Sequence, residues 1–168
     1  MIKMNLVSED SSILTAPCQN FNFDAPPFDP KEFAESLYDF MKSRDGLGLS
    51  ANQVGYPYRI FAIRTDDSPL IIFNPKIVDQ SENIISMKEG CLSFPLLFLN
   101  VKRPDRIRIR FQHYDAKTQT SQFIGMTARI ALHEYDHLGG ELFTQKASAF
   151  ETQRAMRKRM ILKRKVNK

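Results

Sequence analysis

The feature that most constrains this chain is a pair of histidines, His133 and His137, with Glu134 directly after the first. On an α-helix, residues four apart lie one above the other, so both imidazoles can bind a single divalent metal ion. Glu134 would point to the neighbouring side, within reach of a water on that ion. The alternative is two ordinary histidines on a helix face, but the chain has only three histidines and two fall in this pattern. Flanking apolar residues such as Ile130 and Leu138 predict a buried helix.

This helix is predicted from about Met126 to Leu138, and the glycine pair 139–140 provides its C-terminal stop. An earlier helix begins at Pro30, with Asp29 as its cap, and shows one apolar face at helical spacing. A third, weakly amphipathic helix is predicted from about Phe150 onward.

Short strands are predicted between the first two helices. The candidates are Arg59–Ile63, Leu70–Phe73 and Arg106–Phe111, the last with strict alternation of arginine and apolar residues. The polar stretch Tyr114–Ser121 is predicted to be a hairpin loop. The element order predicts an α+β fold in which largely antiparallel sheets pack around the central helix, with N-terminal and C-terminal helices. We divide the chain into a catalytic domain, residues 1–149, and a basic C-terminal helix or tail, residues 150–168.

Composition narrows the class of protein. The chain has 168 residues, 42% hydrophobic and 26% charged, which fits one globular domain with a core that needs no disulfides. Two cysteines are too few for a disulfide framework and suit a reducing cytosol, so we expect a cytoplasmic protein. No signal peptide and no apolar run of membrane-spanning length is recognisable, so we expect no membrane association.

A catalytic metal needs a third protein ligand and one open position. Some zinc proteases extend the two-histidine motif with a glycine and a third histidine, but here Phe143 stands at that histidine's position. The alternatives are Cys91, Cys18, His113, Glu141 and Glu151. Cys91 is the best candidate, because the preceding glycine lets the backbone approach closely and a thiolate with two imidazoles suits zinc, ferrous iron, nickel or cobalt. From spacing alone, a buried free cysteine remains the competing interpretation.

The segment Gly46–Gly55 is rich in glycine but is not a phosphate loop, because no Gly-Lys-Ser/Thr follows. Its Gln53 is a neutral donor that could stabilise an oxyanion. Taken alone, the segment is more typical of a structural turn.

Together, three segments resemble the peptide deformylase family. They are Gly46–Gln53 (Gly-Leu-Gly-Leu-Ser-Ala-Asn-Gln), Glu89–Ser93 (Glu-Gly-Cys-Leu-Ser) and His133–Leu138 (His-Glu-Tyr-Asp-His-Leu), in the family's order and spacing. The resemblance implies metal-dependent hydrolysis of the formyl group of N-formylmethionyl peptides of nascent proteins. The chain departs from the family pattern at Ser50, where alanine is usual, and at Leu132, where bacterial members often have glutamine.

The resemblance also implies a role for each site residue. It implies that Cys91, His133 and His137 bind one divalent ion, Fe²⁺ first, with Zn²⁺ or Ni²⁺ as alternatives, and that Glu134 moves protons. The other implied residues act on the substrate: the Gln53 side chain and the Leu92 backbone N–H would hold the oxyanion, Gly46 and Gly48 the peptide backbone, and Met126 and Ile130 the methionine pocket.

Two alternatives remain. A metallopeptidase of the HExxH type would use the helix motif but leave the other two segments unexplained. A nucleic-acid-binding module would use the tail, because Arg154–Lys168 contains eight Lys or Arg and no Asp or Glu, in a chain of net charge +5. A solvated tail is the simplest explanation of these charges. The resemblance adds another, docking of the tail on the ribosome.

Overall fold

The structure is a computed structural model that describes residues 2–65 and 68–166. The helices are α1 (Pro30–Ser43), α2 (Gly125–Leu138) and α3 (Ala149–Val166). The strands are β1 (Gly48–Ser50), β2 (Ile60–Arg64), β3 (Pro69–Gln80), β4 (Ile84–Cys91), β5 (Phe94–Pro104), β6 (Arg106–Gln112) and β7 (Thr118–Ile124). Short 3-10 helices cover Ser12–Leu14, Ala51–Val54 and Phe143–Gln145.

The strands form two antiparallel sheets. One has five strands in the order β1-β2-β3-β6-β7, and the other is the β4-β5 hairpin. Helix α2 packs against the five-stranded sheet on one side and approaches β5 on the other. The predicted α+β fold with a central motif-bearing helix is therefore confirmed.

Strand β2 is the centre of the packing, because both of its faces are covered. Ile60 and Ala62 belong to the apolar cluster under α1, whereas Phe61 and Ile63 belong to the cluster under α2. All four are fully buried. Burying each large side chain among them contributes about 1.5–3 kcal/mol. This strand therefore fixes both helices to one sheet, and β1 pairs with its outer edge.

The first helix begins as predicted. The Asp29 side chain accepts a hydrogen bond from the Glu32 amide at 2.6 Å, and Pro30 occupies the first turn. On the apolar face, Phe33, Leu37 and Met41 are fully buried and Phe40 is partly buried. The predicted second and third helices also form, within one residue of their expected starts.

One strand prediction was incomplete, one loop prediction was partly wrong, and one hairpin was missed. The segment Tyr114–Ser121 is not all loop, because Thr118–Ser121 belongs to β7 and pairs with β6. These polar residues lie on an edge strand that is mostly exposed to water, so backbone pairing and not apolar burial holds them. The strand predicted at Leu70–Phe73 continues to Gln80 through two register shifts. The β4-β5 hairpin was not predicted at all.

Among the described residues, no helix is both long and apolar enough to cross a bilayer.

Candidate active site

Cys91, His133 and His137 converge on one point. Cys91 ends β4, and the two histidines lie one turn apart on α2. One potential ligand atom from each side chain lies within 4.8 Å of the other two, and Cys91 Sγ is 3.3 Å from His137 Nε2. Ligands of a tetrahedral zinc ion are separated by roughly 3.5 Å, so small side-chain adjustments suffice. This group could hold a metal ion, and its sulfur and nitrogen donors suit a divalent transition metal.

A buried carboxylate sets the orientation of His133. Glu89 Oε2 lies 2.9 Å from His133 Nδ1, so this nitrogen donates and Nε2 is left facing the metal-binding group. Burial alone would raise the pKa of Glu89, but hydrogen bonds from His133 and Arg103 lower it to about 2. Burial likewise works to lower the pKa of His133, while hydrogen bonds with Cys91 and Glu89 raise it to about 10, so a metal ion that binds Nε2 must displace a proton from it. The histidine is therefore held by an ionised partner.

Two arginines complete the support of Glu89. Arg103 from β5 donates to both carboxylate oxygens, at 2.7 and 3.0 Å, and to Asp136 at 2.6 Å. Arg129 from α2 donates to Glu89 Oε1 and to the carbonyls of Ile85 and Val101, which fastens the hairpin to the helix. Neither arginine was among the site residues predicted from the sequence. A signal existed for Arg103, because it continues the inward alternation of β5, whose inner residues are Leu97, Leu99 and Val101.

Glu134 lies beside the metal-binding group, almost fully buried. Burial raises the pKa of this carboxyl to about 7, against the opposing charge of His133 and a hydrogen bond with Ser50. Its Oε2 has no hydrogen-bond partner within the described ranges, although a buried carboxylate oxygen is normally paired. Gly48 makes room for it, since a Cβ there would lie 2.9 Å from Glu134 Cγ. A buried proton acceptor near its working pH is what general base catalysis needs.

Gln53 is oriented by its own loop. Its Oε1 accepts hydrogen bonds from the Ser50 amide and hydroxyl, both at 2.9 Å, so the Nε2 donor must point the other way. There Nε2 donates to Ser93 Oγ at 2.9 Å and lies 3.3 Å from Cys91 Sγ. The segment is therefore a short strand and a 3-10 turn that aims an amide at the metal-binding group, more than the plain turn that its glycines suggested.

A cavity of about 430 Å³ opens over this group. Nine of the ten residues predicted for the site line it, and the tenth, His137, lies behind the cavity at 1% exposure. Ile130 is nearly buried in the cavity wall, whereas Met126 is half exposed. Leu92 lies in the turn between β4 and β5, and its side chain is close to Gly46. The other lining residues are Asp45, Leu47, Lys88, Glu89, Gly90, Phe94, Pro95, Leu96, Leu97, Phe98 and Arg129.

The remaining candidates for the third ligand are engaged elsewhere. Cys18 lies in the apolar cluster under α2, where burial raises the pKa of its thiol to about 11. His113 Nε2 lies 2.7 Å from an exposed glutamine, and Glu141 pairs with a nearby lysine. Glu151 accepts two hydrogen bonds from Asn100. Geometry therefore favours Cys91, as the sequence did.

The position of a third histidine in the zinc-protease pattern is filled by packing. Phe143 is 1% exposed, and its ring centroid lies 5.4 Å from that of His133. It also packs against Phe94. An aromatic wall thus replaces a ligand at this position, and the HExxH metallopeptidase alternative is not favoured.

Comparisons with known proteins agree with this geometry. The polypeptide deformylase family model matches residues 3–153. The peptide deformylase of Rickettsia prowazekii is 32% identical over 170 aligned residues, which cover 92% of this chain and 97% of that protein. The crystal structure of a peptide deformylase from Synechococcus elongatus in complex with actinonin superposes with a TM-score of 0.87 at 29% identity, covering 93% of this chain and 85% of that one.

A second solved structure gives the same result. The peptide deformylase of Thermotoga maritima superposes with a TM-score of 0.81 at 28% identity, covering 88% of this chain and 99% of that one. The residues that the family model matches, 3–153, include the helix with the two histidines and the hairpin with the cysteine. On the combined evidence of sequence, fold and site geometry, this chain belongs to the peptide deformylase family.

Proposed function

We propose that this chain removes the formyl group from N-formylmethionyl peptides of nascent proteins at a metal held by Cys91, His133 and His137. One observation carries the proposal: these three side chains converge beside Glu134, a buried carboxyl with one oxygen that finds no partner among the described residues. Family membership gives the reaction, and this arrangement supports the assignment of each residue to a role.

The reaction needs a nucleophile and a proton transfer at a poorly electrophilic amide. A divalent ion at this site would supply Lewis acidity toward a water molecule and the formyl oxygen. Glu134 takes a proton from the attacking water and delivers it to the departing amine, because its carboxyl is buried beside the site with a pKa of about 7. Glu89 keeps His133 in the tautomer that presents Nε2.

We propose two donors for the negative charge that develops on the formyl oxygen. Gln53 Nε2 is aimed at the site by the hydrogen bonds from Ser50 to its carbonyl oxygen. The backbone N–H of Leu92, in the turn directly after Cys91, is the second donor that we propose. Donors fixed before the reaction stabilise this charge without reorganisation.

Among the described residues, the outer edge of β1 pairs with no other strand, and we propose that the peptide binds there. Strand β1 lies at the edge of the five-stranded sheet and pairs only with β2 in that sheet. We assign Gly46 and Gly48, which line the cavity at this edge, to the peptide backbone, which would add as a further strand. Ile130 and Met126 then line the pocket for the methionine side chain.

The proposed reaction is tested by formate release from an N-formylmethionyl tripeptide, with the N-acetyl peptide as the negative control. We expect turnover of the formyl peptide only. No formate release from the metal-loaded chain would overturn the proposal. Cleavage of unformylated peptides at internal bonds would support the metallopeptidase instead.

The ligand assignment is tested by metal content. Cys91→Ala should lose most of the bound metal, since changes of residues that merely support metal ligands already cost roughly 10–100-fold in affinity. The matched control is Cys18→Ala, which removes the other thiol, in the apolar cluster under α2 and outside the metal-binding group, and should keep its metal. Equal metal content in the two variants would show that Cys91 is not a ligand.

We propose Fe²⁺ as the ion in the cell, with Zn²⁺ or Ni²⁺ as the alternatives that a Cys/His/His set accepts. Elemental analysis of protein purified without oxygen, together with formate release on the same sample, decides among them. We also propose the cytoplasm as the location, because nascent chains are made there and a reducing environment keeps Cys91 free for metal.

Helix α3 supports a second interaction, which we propose is with the ribosome. It exposes five basic residues: Arg154, Arg157, Lys158, Arg164 and Lys165. Exposed apolar residues such as Ile161, 56% exposed, lie among them. Changing the five exposed basic residues to glutamine should weaken ribosome binding and reduce its salt dependence. Changing Arg108 and Arg110 on the exposed side of β6 is the control, and equal effects of the two sets would argue against docking through α3.

A further inference from the structure

One wall of the cavity is an irregular piece of backbone in β5. Cys91 lies opposite Phe94, but the preceding residue, Gly90, lies opposite Phe98. The three residues Pro95–Leu97 therefore have no counterpart on β4 and form a bulge. All three line the cavity. Leu96 has a φ of +66°, a left-handed conformation that a leucine adopts only when its surroundings impose it.

The group that meets this bulge comes from α3. Arg159 is 6% exposed, although every basic neighbour from Arg154 to Lys158 is exposed. Its Nε donates to the Pro95 carbonyl at 2.8 Å, directly before the left-handed residue. Its guanidinium carbon also lies 5.9 Å from the centre of the Phe94 ring, another cavity-lining side chain.

The arginine is itself fixed from the opposite side. Its Nη2 donates to the carboxylate of Glu9 in the N-terminal segment, and Lys163 lies 3.5 Å from the other oxygen of that carboxylate. A buried guanidinium that is both paired and hydrogen-bonded holds its position, because leaving either partner unsatisfied is unfavourable. Arg159 thus joins three separate parts of the chain: α3, the N-terminal segment and the cavity wall.

We propose that Arg159 is a positioning residue of the peptide site, which acts by holding the Pro95–Leu97 bulge in the shape that the bound peptide requires. This inference rests on the proposed function. It makes α3 a structural part of the substrate cavity as well as a basic surface. The arginine touches no reacting atom, so its loss should change peptide affinity more than the chemical step.

The test compares Arg159→Met, which keeps an unbranched apolar side chain but removes every donor, with Arg157→Met on the exposed side of α3. For the N-formylmethionyl tripeptide we expect KM to rise about three- to tenfold in Arg159→Met, the range expected for loss of the hydrogen bond that holds the Pro95 carbonyl. We expect kcat and metal content to change little, and amide hydrogen exchange at Leu96–Phe98 to become faster. In Arg159→Lys the KM should rise less than in Arg159→Met, because the lysine can still donate to the Pro95 carbonyl.

Two results would overturn the inference. One is an unchanged KM with unchanged exchange in the bulge. The other is faster exchange with an unchanged KM, which would make Arg159 a purely structural residue. If Arg159→Met does not fold, Glu9→Gln replaces it as the test variant. We then expect a smaller rise of KM, and an unchanged KM would contradict the inference. If the wild-type chain releases no formate, the proposed function fails, while the exchange measurement still shows whether Arg159 holds the bulge.

Discussion

Helices α2 and α3 both have many charged side chains, but those of α2 near the site are buried and most of those on α3 are exposed to water. On α2, Arg129, His133 and Glu134 are each less than 10% exposed, and the first two are bound to the same buried carboxylate, Glu89. On α3 nearly all basic side chains face water, and Arg159 is the buried exception. A charge interaction is stronger where it is buried away from water, so similar residues on the two helices contribute very differently to stability.

The largest expected effect concerns the reacting carboxyl of α2. Glu134→Gln should keep its metal but lose about 10²–10⁴-fold in kcat, the usual contribution of a general acid–base group. Lys158→Gln on α3 is the control and should hydrolyse a short formyl peptide at the wild-type rate. The measurement is formate release with metal analysis of each sample. A Glu134→Gln variant with wild-type activity would show that this buried carboxyl of α2 is not the general acid–base group.

The next effect concerns stability and compares two arginines. Arg103 is 5% exposed and binds Glu89 and Asp136, whereas Arg164 on α3 is exposed. Arg103→Ala should lower the free energy of unfolding by about 3 kcal/mol, the low end for a broken buried ion pair, because Arg129 and His133 still support Glu89. Arg164→Ala should stay within about 0.5 kcal/mol of wild type. Denaturant unfolding measures both, and similar losses would show that burial does not separate the two arginines.

A smaller effect tests the hydroxyl behind Gln53. Ser50→Ala removes a fully buried hydroxyl that lies 2.9 Å from Gln53 Oε1 and also hydrogen-bonds with Glu134, while the Ser50 amide remains in place. We expect kcat to fall about three- to tenfold, in line with about 1 kcal/mol for one hydrogen bond, with unchanged metal content. Steady-state kinetics with metal analysis provides the check. An unchanged kcat would mean that the backbone amide alone orients the glutamine.

The smallest effect is a pH dependence at the contact between Arg159 of α3 and Glu9. The hydrogen bond from Arg159 lowers the pKa of Glu9 below its ordinary value of 4.5. A lowered pKa in the folded state means that the contribution to stability is present above about pH 4.5 and is lost as the pH falls through the folded-state pKa. Glu9 is partly exposed, so we expect less than about 1 kcal/mol. The stability difference between wild type and Glu9→Gln should shrink between pH 6 and roughly pH 3 in thermal unfolding.

Much of the secondary structure could be predicted from local sequence pattern. The cap at Asp29, the apolar face of α1 and the alternation in β6 depend on neighbours within a few residues, and each formed as predicted. The helix with His133 and His137 also follows from spacing alone. The β4-β5 hairpin did not, because its outer side is exposed and Pro95 interrupts its apolar run. The division of the chain at residues 149 and 150 stays a prediction.

By itself, the sequence determined the two histidines on one helix face, the neighbouring Glu134 and the three segments that identify the family. Only the tertiary structure decided which cysteine meets those histidines, and that Glu89 and Arg103 support them. It also decided that Arg159, one basic residue among many in its helix, is buried against the cavity. Helical spacing is a local property that can be counted along the chain. Burial and partnership depend on residues distant in sequence, and no local pattern in α3 distinguishes the buried Arg159 from the basic residues beside it that face water.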